Sequence, residues 1–124
     1  DCWKIIEKHY SKYLLIEMST YIRKNALEFH VDLRNVQNER AFLSTMKETF
    51  SLPDYFGYTL DGLDDCMQSL DWIEHQHVLA KFYHLDDLRQ HNEALYGEIR
   101  KSLDLYRAYW AGNPDPNKKV QFEY

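Results

Sequence analysis

The chain has little of what marks secreted, membrane-spanning or metal-binding proteins. Its only cysteines, Cys2 and Cys66, lie far apart and form neither a disulfide framework nor a metal-ligand motif. No run of aliphatic residues is longer than three, as in Leu14-Leu15-Ile16, so we expect no membrane-spanning helix. Charged residues interrupt the N-terminal region, so we expect no secretory signal there. Two isolated thiols suit a reducing compartment, and we therefore expect a cytoplasmic protein.

Lysine and arginine are absent from about a quarter of the chain. Residues 48–80 contain neither, but they hold the seven acids Glu48, Asp54, Asp61, Asp64, Asp65, Asp71 and Glu74. The rest of the chain carries all 15 bases and 13 of the 20 acids, so this segment accounts for the net charge of −5. Such a balance is unfavourable for nucleic-acid binding, and we expect none; it suits a basic partner instead.

The pattern of apolar residues predicts one domain in which helices and strands alternate. A chain of 124 residues that is 44% hydrophobic can bury a core without disulfides or metal ions. Because helices separate the predicted strands, the sheet should be small and parallel, and the fold class α/β. Alternation predicts strands at 27–33 and 120–124, and residues 77–83 resemble a further strand. Three- and four-residue spacing predicts helices at 3–25, 60–70 and 92–110, a helix that follows Asn38 and stops before Pro53, and a short helix near 85–88.

The helix predicted at 60–70 has two chemically different faces. Its apolar face consists of Leu60, Leu63, Met67 and Leu70, and the opposite face of Asp61, Asp64, Asp65 and Gln68. Acids three and four residues apart repel one another. The polar face is therefore either a solvated helix surface or a binding surface for cations. Arginine is one such cation, because its guanidinium group forms forked hydrogen bonds with carboxylates. The residue chemistry alone leaves both interpretations open.

Residues that flank this helix fit its start and widen the candidate surface. Gly57 can adopt a positive φ angle, and Thr59 is a suitable N-cap. Tyr55 and Tyr58 precede the helix, and Trp72 and Glu74 follow it.

The segment 52–66 resembles the barstar family of intracellular ribonuclease inhibitors. The shared pattern is Leu-Pro-acid-aromatic-aromatic-Gly, two residues, Leu-Asp-small-Leu, one residue, and Asp-Cys. The resemblance covers residues 28–124 and leaves 1–27 as a helical extension before a single barstar-like domain. It implies a three-stranded parallel sheet flanked by helices, no catalysis and no cofactor. It also implies a basic ribonuclease-type toxin as the partner in a one-to-one complex.

The resemblance also implies a contact surface. The segment from Tyr55 to Asp65 would enter the active site of the ribonuclease, with Asp65 in the phosphate pocket, paired with Arg and His side chains. A carboxylate helix beside aromatic rings can mimic the phosphates and a stacked base of RNA. The predicted partner-binding residues are Tyr55, Gly57, Tyr58, Thr59, Asp61, Asp64, Asp65, Gln68, Trp72 and Glu74.

The chain departs from the family pattern at three places. Asp64 stands where barstar has an aromatic residue, and Thr59 replaces an asparagine. An acid of the last long helix falls near Ala108 here, with Asp104 one turn earlier. These departures predict a relative whose target is another toxin than barnase.

Other functions fit the residues less well. Asp61, Asp64 and Asp65 on one short helix cannot surround a metal ion, and the scattered histidines His75, His77, His84 and His91 do not supply a zinc site. We expect a buried, inert thiol at Cys66, which has no assigned base. A regulatory module with a non-nuclease partner remains the alternative function. The helix at 3–25 is expected to pack on the domain, with dimerisation or an added toxin contact as alternatives, and not to bind membranes.

Overall fold

The structure, a computed structural model, describes residues 26–124. The helix predicted at 3–25 and the extension 1–27, except its last two residues, lie outside the described part. In chain order the elements are β1 (Leu27–Asp32), α1 (Glu39–Phe50), a 3-10 helix (Asp54–Phe56), α2 (Leu60–Met67), β2 (His77–Tyr83), α3 (Leu85–His91), α4 (Glu93–Ala111) and β3 (Lys119–Glu123). Among these residues, no helix combines the length and apolar character needed to cross a membrane.

The strands form one parallel sheet in the order β1-β2-β3, which confirms the predicted architecture. Leu27 pairs with Val78, and Val78 pairs with Val120. Parallel neighbours need a crossover long enough to contain a helix. The segment between β1 and β2 contains α1 and α2, and the segment between β2 and β3 contains α3 and α4. The candidate site thus lies within the first crossover.

The core lies between one face of this sheet and the helices. Side chains on the helix-facing side of the sheet, such as Val31, Ala80 and Phe122, point into this core. The helices contribute residues at three- and four-residue steps, including Phe42 in α1 and Ile99 in α4. Because burial of aliphatic and aromatic surface is the main favourable term in folding, this face fixes how the helices sit on the sheet.

The helix ends show why the elements start and stop where they do. The Asn38 side chain accepts a hydrogen bond from the Ala41 N–H at 2.8 Å and caps α1, which ends at Phe50 before Ser51 turns left-handed. The predicted end of α2 at Leu70 is wrong, since α2 ends at Met67 and Leu70 has a φ angle of 51°. Apolar spacing continued beyond the last helical turn, so it could not reveal this reversal.

Two side chains bind three carbonyl groups at the end of α2 and in the turn after it. The indole N–H of Trp110 donates to the Met67 carbonyl at 2.8 Å, in a buried position. Lys118 donates to the carbonyls of Leu70, at 2.6 Å, and of Ile73. Helix ends carry carbonyls with no partner inside the helix, and leaving them unpaired in the interior is costly. These bonds therefore fix the C-terminal end of α2 against α4 and against the segment before β3.

We expect Trp110→Phe to lower the free energy of unfolding by about 1–3 kcal/mol, because the Met67 carbonyl would lose its donor while staying buried. Urea denaturation followed by circular dichroism measures the change. Tyr109→Phe, at the neighbouring and partly exposed position, is the matched control and should change stability little. Equal stability of Trp110→Phe and wild type would show that this bond does not hold α2.

Candidate partner-binding site

The backbone before α2 turns sharply to present the site. The 3-10 helix ends at Gly57, whose φ of 67° is left-handed, as predicted for a glycine there. The Thr59 hydroxyl accepts a hydrogen bond from the Gly62 N–H at 2.9 Å, which confirms the predicted N-cap. A Cβ atom on Gly62 would collide with the Phe56 carbonyl oxygen, so this position requires a very small side chain. The loop and the first turn of α2 thus form one tightly built unit.

Two of the predicted acids, Asp61 and Asp65, lie exposed on α2, four residues apart. Neither carboxylate forms an ion pair or hydrogen bond within the described part of the chain. Residues at this spacing are neighbours on a helix surface. Within residues 26–124, the structure therefore presents two carboxylates side by side with no partner.

Asp64 behaves differently from its two neighbours. It is half-buried and accepts a hydrogen bond from the hydroxyl of Tyr106, a buried residue of α4. Burial, and then the Asp64 carboxylate, raise the pKa of Tyr106 far above its usual value, so the phenol keeps its proton and remains a donor. The sequence could not show this pairing, since the two residues are 42 positions apart. Asp64 joins α2 to α4 instead of standing free.

Cys66 follows the acids on the inner side of α2. It is fully buried, as predicted, and burial followed by the charge of Asp65 raises the pKa of its thiol. A raised pKa reduces the thiolate fraction at neutral pH, and the thiolate is the reactive form.

The aromatic residues of the predicted site have different roles in the structure. Tyr55 is 66% exposed and is available for contact. Trp72 is half-buried, and its indole N–H donates to the Phe50 carbonyl at 2.8 Å, which ties the turn after α2 to the end of α1. Gln68 is half-buried at the end of α2, and Glu74 is exposed beyond it.

Two cations outside the set of predicted site residues reach the site from α1. The Arg40 guanidinium lies 4.4 Å from the centre of the Tyr58 ring, and the Lys47 ammonium lies 5.4 Å from it. Neither cation forms an ion pair with the described residues. Their seven-residue spacing, two helical turns, was the only sequence signal that they share a face of α1. Residues 48–80 contain no lysine or arginine, yet Arg40 and Lys47 lie next to them in the fold.

The acid of the last helix has its hydrogen-bond partners outside α2. Asp104 accepts hydrogen bonds from Arg100, at 3.2 Å, and from Tyr124 beyond β3. The hydrogen bond from Tyr124 and the cation of Arg100 lower the pKa of its carboxyl. Asp104 is thus occupied near the end of β3 and does not join Asp61 and Asp65.

Metal-ligating side chains are dispersed in the described residues. Within 26–124, no group of three or more His, Cys, Asp or Glu side chains is arranged to hold a metal ion. His84 hydrogen-bonds Asp87 at 3.1 Å.

A family model described as Barstar (barnase inhibitor) matches residues 26–123. The chain belongs to the barstar family. The match runs from the residue before β1 to the end of β3, so it includes the loop, α2 and the whole described sheet. At the level of the barstar family, the role is inhibition of barnase-like ribonucleases, and the members are inhibitors and not enzymes. No curated protein matches the sequence.

We expect Tyr106→Phe to lower the free energy of unfolding at pH 7 by about 1–3 kcal/mol, because Asp64 would lose its hydrogen-bond donor. Tyr106 has a raised pKa when folded, so its contribution is present below its ordinary pKa of 10 and is lost as the pH rises above it. The difference between wild type and variant should therefore narrow above pH 10. Urea denaturation between pH 7 and pH 11 measures both effects.

Tyr109→Phe, which changes a partly exposed tyrosine of the same helix, is the control. A difference between Tyr106→Phe and wild type that stays constant from pH 7 to pH 11 would contradict a folding-linked shift in the pKa of Tyr106.

Proposed function

We propose that the chain is a cytoplasmic immunity protein that binds a basic ribonuclease-type toxin one-to-one and occludes its active site. The observation that carries the proposal is the pair of exposed carboxylates, Asp61 and Asp65. They have no partner among residues 26–124 and lie on a helix that tertiary hydrogen bonds hold. Membership of the barstar family supports the same partner class. No catalytic step, metal ion or cofactor is part of the proposal.

The chemistry of a ribonuclease cleft matches this surface. A cleft that binds RNA must place cations where phosphates sit. Carboxylates at the same positions accept charge-assisted hydrogen bonds from Arg and His, and Arg can bind them through two parallel bonds. Asp65 is proposed to enter the phosphate pocket, with Asp61 beside it. Exposed Tyr55 lies just before the helix and would occupy the position of a stacked base.

The remaining predicted residues divide into contact and positioning roles. Glu74 is exposed and would extend the acidic contact. Gly57 and Thr59 shape the start of α2, while Asp64 and Trp72 attach it to α4 and to α1. Tyr58 and Gln68 lie at the two ends of α2 and would contact the rim of the cleft. Fixing the carboxylates before binding reduces the ordering cost of association.

The direct test of the function is titration of the purified chain into a ribonuclease assay. The enzymes are barnase and the product of any neighbouring gene that encodes a basic nuclease domain. Activity of the cognate enzyme should fall linearly to near zero at one molar equivalent. Activity of both enzymes that is unchanged at excess inhibitor would contradict the proposal.

We expect Asp65→Ala to weaken toxin binding by several powers of ten, chiefly through faster dissociation. Loss of one partner of a buried charge pair costs about 2–5 kcal/mol or more, a range that includes measurements on barnase and its inhibitor. Folding should be unharmed, because the change relieves repulsion with Asp61. Surface plasmon resonance on the immobilised toxin measures the rates.

Asp86→Ala, at an exposed acid in the first turn of α3, is the matched control and should bind like wild type. Glu7→Ala tests whether the predicted N-terminal helix is the contact instead. Wild-type binding by Asp65→Ala together with loss of binding by Glu7→Ala would show that the site assignment is wrong.

The association rate should fall steeply as ionic strength rises, because opposite charges steer the encounter. We expect a decrease of about tenfold or more between roughly 10 mM and 500 mM salt, where the screening length shrinks from about 30 Å to a few Å. Stopped-flow fluorescence measures the rate. A rate that does not depend on salt would count against an acidic contact surface.

A further inference from the structure

Strand β3 forms one edge of the described sheet. The Lys119 N–H donates to the Gln76 carbonyl at 2.7 Å, so the backbone of Lys119 faces β2. Backbone groups of successive residues in a strand point to alternate sides. The backbone groups of Gln121 and Glu123 therefore also face β2, and those of Val120 and Phe122 point outward from the sheet.

The outward side of β3 borders a groove and carries one internal contact. The Arg107 guanidinium lies 3.8 Å from the centre of the Tyr124 ring and donates to the Phe122 carbonyl at 3.0 Å. A carbonyl oxygen accepts two hydrogen bonds, so this contact leaves it able to accept another. The groove, about 800 Å³, is lined mainly by β3 and by the end of α4, from Arg107 to Ala111. Among the described residues, no strand fills this edge.

The sequence of β3 is complementary to itself when reversed. It reads Lys-Val-Gln-Phe-Glu, with Lys119 and Glu123 at equal distances from Gln121 and of opposite charge. We propose that a second copy of this chain pairs antiparallel with β3, with the two-fold axis at Gln121. The two sheets would then join into one sheet of six strands.

The backbone direction and the charges agree on this register. With Gln121 opposite its own copy, Val120 lies opposite Phe122 of the second copy, and both have outward backbone groups. These residues exchange N–H···O bonds in two symmetric pairs, which use all four outward groups of each strand. Lys119 lies opposite Glu123 of the second copy in a pair without backbone hydrogen bonds, where side chains are closest. A shift of one residue would place inward-facing backbone groups at the interface.

Existing contacts of the charged side chains are compatible with this pairing. Lys119 contacts the Asn113 side chain, and an ammonium group has three donors. A carboxylate accepts several hydrogen bonds, so contacts of Glu123 within its own chain do not prevent a second one.

The predicted dimer is weak and independent of the toxin site. Five paired residues bury less surface than a stable protein interface usually does, so association should occur at high micromolar concentration. The proposed toxin contact is on α2 and not on β3, so the dimer does not rest on the proposed function.

Sedimentation equilibrium of the full chain tests the proposal. Wild type should show reversible dimer formation. Lys119→Glu and Glu123→Lys should each weaken it about tenfold, because two symmetric attractions become repulsions. The double variant exchanges the charges and should restore dimerisation. Lys101→Glu, at an exposed base of α4, is the control and should dimerise like wild type.

A second measurement checks the register even if a charge variant folds poorly. Gln121→Cys places two thiols at the two-fold axis, where the expected Cα separation of about 4.5 Å permits a disulfide. Mild oxidation should give a covalent dimer, and Lys101→Cys should not. A monomeric wild type at millimolar concentration, single variants that dimerise like wild type, a double variant that fails to recover, or a Gln121→Cys chain that does not cross-link would each overturn the proposal.

Discussion

The short acidic helix α2 depends on hydrogen bonds from outside itself. Eight residues are too few for an isolated helix to be stable in water, and its free acids repel one another. Trp110 binds the last helical carbonyl, and Lys118 binds two carbonyls of the turn that follows. Both donors come from residues after β2, so the helix acquires its orientation only when the second half of the chain has folded onto the first. The proposed contact with a preformed cleft would require that kind of fixed support.

The environment of Lys118 shows how this support is arranged electrostatically. Burial lowers the pKa of Lys118, and the carboxylates of Asp71 and Asp115 oppose that effect. A cation near the C-terminal end of a helix interacts favourably with the partial negative charge of the carbonyls there. The Lys118 ammonium group therefore interacts with backbone carbonyls just beyond the C-terminal end of α2. The carboxylates of Asp61 and Asp65 lie exposed on the same helix.

The sequence predicted those parts of the fold and site that depend on local spacing. Alternation located β1 and β3, because buried and exposed residues alternate along each, and Thr59 was recognisable as a cap. β2 was recognisable by its apolar run Val78-Leu79-Ala80, all three residues of which are buried. The left-handed Leu70 was missed because its side chain remains buried and continues the helical pattern. The distinction between Asp64 and its neighbours was also invisible, since it depends on Tyr106. Helical periodicity shows which face a residue occupies but not which residue of another element meets it.

The most informative difference concerns charge. Residues 48–80 contain no bases, but the fold brings bases from other segments next to them. Arg40 and Lys47 lie on the Tyr58 ring before α2, and Lys118 lies beyond the end of α2. The field at the surface is therefore not uniformly negative, because Arg40 and Lys47, which form no ion pair with residues 26–124, lie beside the N-terminal end of the acidic helix. A partner whose cleft is uniformly basic would meet repulsion there, and a partner with an acid at that edge would not. Under the proposed function, complementarity of this kind would select among related toxins by penalising mismatched charges, in addition to the attraction proposed for Asp61 and Asp65.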